Sequence, residues 1–186
     1  MRHVHALALL LVAAPLASRA TSITYDIALP PASGATFTGT ITTDAATGTL
    51  QTADILSWNI ELRDGGRSLN LTPSDSAEQI IGTSNVSATS TALHFNFGGP
   101  IGSEFLIQDP DVGSSSQNLF CIQTTGCTGV GQDNYQMFIG GTVASSPGFG
   151  TDITFATAPA VPLPAAAWLL LSGLGGLGLY ARKRGA

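Results

Sequence analysis

The chain has 186 residues with 12 acidic and 7 basic side chains, a formal net charge of −5. All 12 carboxylates lie between Asp26 and Asp152, where Arg63 and Arg67 are the only cations, so that stretch carries −10 and no lysine. Such a field opposes the phosphate contacts that nucleic-acid binding needs and suits divalent cations or plain colloidal repulsion; the roughly 140 residues between two apolar ends suffice for one domain with a core.

The N-terminus reads as an export signal. Arg2 supplies a positive start, Ala6 to Leu16 an apolar stretch too short to anchor, and Ser18-Arg19-Ala20 a small-x-small cleavage site. Residues 1–20 are therefore expected to be removed, leaving a body of residues 21–157 that starts at Thr21. An uncleaved anchor is the alternative, and Pro15 with the small residues after it argues for processing.

Alternation at period two dominates the body. Ile23-Tyr25-Ile27-Leu29, Phe37-Gly39-Ile41, Leu56-Trp58-Ile60-Leu62 and Leu93-Phe95-Phe97 each set apolar residues on one face, the pattern of half-buried antiparallel strands. Asp64-Gly65-Gly66 supplies the backbone freedom of a hairpin turn before Leu69. The segment from Asp75 to Ile81 is expected to form a turn or two of helix. Further strands are expected at Phe105–Gln108, Asn118–Gln123, Tyr135–Ile139 and Ile153–Thr157, separated by Gly/Pro punctuation such as Gly98-Gly99-Pro100 and Ser146-Pro147-Gly148. Short strands at fairly regular spacing, with no extended 3.6-residue period, predict an all-β fold with an antiparallel β-sandwich-like domain.

Candidate chemistry in the body is sparse. His94 falls on the strand face opposite Leu93, Phe95 and Phe97, which reads as a solvent-facing position, and no Gly-x-Ser-x-Gly elbow occurs. Trp58 alternates with Leu56, Ile60 and Leu62, as a core residue would, in preference to a sugar-stacking platform. Asp109-Pro110-Asp111-Val112-Gly113-Ser114 sets alternating carboxylates before a glycine, so Asp109 and Asp111 are candidate calcium ligands. The loop lacks the third ligand and closing glutamate of an EF-hand, and a solvated Asp-Pro turn is the alternative. Cys121 and Cys127, with Thr124-Thr125-Gly126 between them, are expected to pair in an exported chain; a zinc site would need further histidine or cysteine partners, and a redox pair would more commonly be Cys-x-x-Cys. Two sequons, Asn70-Leu71-Thr72 and Asn85-Val86-Ser87, match a glycosylation pattern.

After an Ala/Pro linker, residues 158–164, comes an apolar run from Ala165 to Ala181 and then Arg182-Lys183-Arg184 in a basic tail, residues 182–186. About 17 residues at roughly 1.5 Å each span about 25 Å, a short transmembrane helix. Trp168 and Tyr180 lie near its two ends, and the basic stop keeps that end in the cytoplasm by the positive-inside rule. A buried C-terminal helix or a GPI signal also ends in an apolar run, but neither calls for a tribasic terminus.

The tail VPLPAAAWLLLSGLGGLGLYARKR resembles the PEP-CTERM sorting signal of Gram-negative bacteria that make extracellular polysaccharide. Val161, Pro162 and Pro164 match its short motif, and Leu163 stands where the family has glutamate. The resemblance implies export through the inner membrane, temporary anchoring there, and cutting by an exosortase-type membrane protease that sends the body to the cell surface or extracellular matrix. Two prolines two apart favour extended geometry, a form a protease can bind. The stretch Thr36 to Leu62 more softly resembles other exported proteins of this group. The sequence thus leads us to expect a non-catalytic surface or matrix protein. Alternatives are a module for calcium or exopolysaccharide and, third, a hydrolase with His94 beside acids in a cleft.

Overall fold

A computed structural model of the chain describes residues 22–45, 47–82, 84–124, 127, 134–146 and 150–160. The fold is all-β and antiparallel, two sheets packed as a sandwich. The expected signal segment, linker end, membrane helix and basic tail lie outside the described residues. Among those described, no helix is long and apolar enough to cross a membrane.

The first sheet has eight strands. Its β1 (Ile23–Ile27), β2 (Ala35–Thr43), β3 (Gly48–Thr49), β4 (Ile55–Asp64), β5 (Arg67–Leu71), β7 (Val86–Ala88), β8 (Ala92–Asn96) and β13 (Asp152–Thr157) lie in the order β3-β7-β8-β13-β1-β2-β4-β5. The second orders β12 (Thr142–Ser145), β11 (Asn134–Ile139), β10 (Asn118–Gln123), β9 (Glu104–Asp109) and β6 (Ala77–Ile81) as β12-β11-β10-β9-β6. Aromatic rings bridge the layers. Phe37 of the larger sheet stands edge-on to Phe120 and Tyr135 of the smaller, at 5.8 and 5.2 Å, and Phe155 lies 5.5 Å from Phe105. Polar ties also cross, among them the Tyr135 hydroxyl donating to the Pro30 carbonyl at 2.6 Å and the Arg67 guanidinium donating to the Ile139 carbonyl at 3.1 Å. Each satisfies a buried or half-buried acceptor that would otherwise cost stability.

The expected alternation along β1, β2 and β8 holds, with Tyr25, Phe37, Ile41, Leu93 and Phe95 buried. Gly39 was expected among the apolar positions for its place in the alternation. It is there because β2 and β4 nearly touch: at φ 128° any Cβ would fall on the Asn59 carbonyl.

Two expectations need correction. Leu56 was placed on the inner face, but it is 52 % exposed, whereas Ile55 is 6 % exposed. A bulge causes this: Thr42 pairs with Ser57 and Thr43 with Ile55, so Leu56 is skipped and the inward set shifts by one residue. The helix expected over Asp75 to Ile81 is instead a strand. Helical geometry is confined to one turn, where Ser76 N–H donates to the Thr72 carbonyl (2.9 Å) and the Asp75 carboxylate accepts from Thr72 N–H (2.7 Å). From Ala77 the chain then pairs with β9, and Ile80 packs against the core. The outer edge of this strand is capped locally, because Ile80 N–H donates to the Thr52 hydroxyl at 2.8 Å from a 3-10 turn at Thr52–Asp54. Such a cap occupies backbone groups that an edge strand would offer to another chain.

Candidate functional site

Along β2 and β4 the outward residues of the larger sheet are Thr36, Thr38, Thr40, Thr42, Ser57, Asn59, Glu61 and Arg63. Strand register extends this hydroxyl-rich face: Thr42 lies opposite Thr24, their hydroxyls 2.9 Å apart, and Thr40 lies opposite Asp26, which lies opposite Thr157. Its one cation, Arg63, is held 2.6 Å from Glu61, which raises the guanidinium pKa by hydrogen bonding and charge. His94 is on this face, half-buried, with Nδ1 3.1 Å from the Thr154 hydroxyl. Its strand neighbours are Ser87 and Thr154, neither a proton-relay acid. Trp58 is buried, and its indole N–H donates to the Ser76 hydroxyl at 2.9 Å, which in turn donates to the Thr72 carbonyl at 2.6 Å. The ring is thus committed to the corner where the chain passes from β5 to β6.

The Asp109–Ser114 segment opens the β9–β10 connection, with a cis peptide at Asp109-Pro110. Asp109 accepts from the Asn118 side-chain amide at 3.2 Å, and Asp111 is exposed. A buried glutamine that sequence reasoning passed over organises this loop. The Gln108 amide N–H2 donates to the Ser114 and Ser116 carbonyls at 3.1 and 2.9 Å, and its Oε1 accepts from Gly113 N–H at 2.8 Å. One side chain thereby fixes the loop's backbone. Among the described residues no group of three or more His, Cys, Asp or Glu side chains is arranged to hold a metal ion.

Cys121 and Cys127 form a disulfide, with Cα atoms 6.2 Å apart. Cys121 sits on the outer face of β10 and is fully buried, while Cys127 is half-buried. Beside the bridge stands Glu104, a second residue missed in the sequence. One carboxylate oxygen lies 3.7 Å from the Cys121 sulfur and the other accepts from the Gln123 amide at 3.2 Å. Burial pushes its pKa above the ordinary value. The signal that could have found both residues is a run in which polar Glu104 and Gln108 flank Phe105-Leu106-Ile107, too apolar to alternate.

The two sequons part company in three dimensions. Asn70 is exposed on the edge strand β5, whereas Asn85 is buried and its side-chain amide donates to the Asn96 carbonyl at 2.6 Å. The motif Val161, Pro162, Leu163 and Pro164 and the basic stop Arg182, Lys183 and Arg184 lie outside the described residues. No family model, curated protein or solved structure matches the chain.

Proposed function

We propose that the chain is an exported, non-catalytic surface or matrix protein whose β-sandwich is held at the inner membrane by its C-terminal segment and then released by a sorting protease. The reading draws on the order of the sequence features: export signal, acidic body, Pro-Leu-Pro motif, apolar run and basic stop. One structural observation supports it. The first and last strands are antiparallel neighbours, with Asp26 opposite Thr157, so the chain enters at Ile23 and leaves beyond Thr157 at the same end of one sheet. A domain with both ends at one pole can be tethered and cut there without disturbing its core. The hydroxyl-rich face and the large negative charge suit a body that stays hydrated outside the cell.

Processing is tested by intact-mass analysis of the protein released from its native host. The released form is expected to lack Trp168 and Arg182 to Arg184, and a host without the sorting protease should retain the tail. Released protein that still carries both would overturn this reading.

A further inference from the structure

We propose that Glu104 shields the Cys121–Cys127 disulfide from thiol exchange by making Cys121 a poor leaving group. Burial dictates the direction of attack. Cys121 is fully enclosed and Cys127 is half-buried, so Cys127 is the half of the bridge that an external thiolate would approach. A new S–S bond forms between that thiol and Cys127, the Cys121–Cys127 bond breaks, and Cys121 departs with the electron pair as a thiolate. A second external thiolate then attacks the mixed disulfide, releasing Cys127 as a thiolate and the reagent as its own disulfide. The rate of the first step depends on how well the departing thiolate is stabilised.

At Cys121 the surroundings oppose that charge. The Glu104 carboxylate lies 3.7 Å from the sulfur. Register keeps it there: Gln123 is directly opposite Glu104 and donates to its second oxygen, while Cys121 is opposite Leu106, so an apolar side chain flanks the sulfur within the sheet. A like charge at this distance and burial both raise a thiol pKa, and both slow its departure. The disulfide sulfur has no proton to offer, so the contact with the carboxylate is a charge placed against the bridge. A small-thiol reductant such as glutathione would therefore act slowly on the folded protein. Such shielding would belong to the folded body, however the chain is delivered.

The test follows reduction by glutathione at pH 8 in the native chain and in Glu104→Gln, Glu104→Met and Gln123→Ala, each checked for native melting with the bridge intact. Both neutral variants should be reduced roughly three- to tenfold faster than the native chain when folded, the range expected for about one unit of thiol pKa. All four proteins should react alike in denaturant. Gln123→Ala, which keeps the carboxylate but removes the hydrogen bond that holds it, should be reduced no faster than the two neutral variants. Equal rates for the native chain and whichever neutral variant melts normally would overturn the proposal. A Gln123→Ala chain reduced faster than both neutral variants would also overturn it, by assigning the protection to packing instead of to the charge.

Discussion

In the eight-stranded sheet Trp58, Ile60 and Leu62 of β4 point into the sandwich while Ser57, Asn59 and Arg63 meet water; in the five-stranded sheet Phe105 to Gln108 of β9 are buried without interruption. A sheet with one wet face needs only alternation, since its outward polar groups are satisfied by solvent. Where the second face is covered, every polar atom on it needs a partner within the protein. The smaller sheet accordingly carries the glutamine-bound loop, the disulfide and the carboxylate beside it. The larger sheet carries mainly hydroxyls.

The two sheets depend on each other most at the aromatic layer they share. Phe120 is fully buried, with Phe37 of one sheet and Phe105 of its own at 5.8 and 6.2 Å. Phe120→Ala should cost about 3–5 kcal/mol in chemical denaturation. Both sheets should unfold in one transition, read by far-ultraviolet circular dichroism and by Trp58 fluorescence. Separate transitions for the two probes would mean that the sheets do not share a core.

A smaller effect separates their outer faces. Gln108→Ala strands the Ser114 and Ser116 carbonyls and the Gly113 N–H, and should cost about 1–3 kcal/mol, with faster amide exchange confined to residues 110–117. Thr38→Ala, on the wet face of the other sheet, should stay within about 0.5 kcal/mol. Equal costs would erase the distinction between a covered face and a solvated one.

Alternation places β1, β2, β4 and β8 where they sit, and the segments expected at Phe105–Gln108, Asn118–Gln123 and Tyr135–Ile139 lie within β9, β10 and β11 of the covered sheet. It fails at the bulge, because skipping Leu56 depends on pairing with Thr42 and Thr43, a partner far away in sequence. The segment from Ala77 to Ile81 misleads for a similar reason. Ala-Glu-Gln has good helix propensity, but β9 offers a ladder and the core a place for Ile80, and tertiary pairing outweighs a weak local preference. Short β3, β7 and β12, of two to four residues, are too brief for any period. Among candidate site residues, the cysteine pair was legible from its spacing. Glu104 and Gln108 were passed over: the trace of their covered face is the apolar run Phe105-Leu106-Ile107 between them, and their partners come from β10 and from the loop before it.

The finest test of that covered face is the titration of Glu104. Burial raises its folded pKa above the unfolded value of about 4.3, so between the two values the folded domain holds a proton that the unfolded chain has released. The associated stability is fully present below the unfolded pKa and is lost as pH rises through the folded one. The informative quantity is the difference in melting temperature between the native chain and Glu104→Gln, in which contributions from the rest of the chain cancel. As pH increases from 4 upward, the native chain should lose ground to the variant, and the difference should level off once Glu104 is ionised in both states. A difference that does not vary with pH would show the carboxyl to be as well solvated in the fold as in the unfolded chain. The outer face of the smaller sheet would then be as wet as that of the larger, and a covered face would no longer explain why the loop, the bridge and the carboxylate collect there.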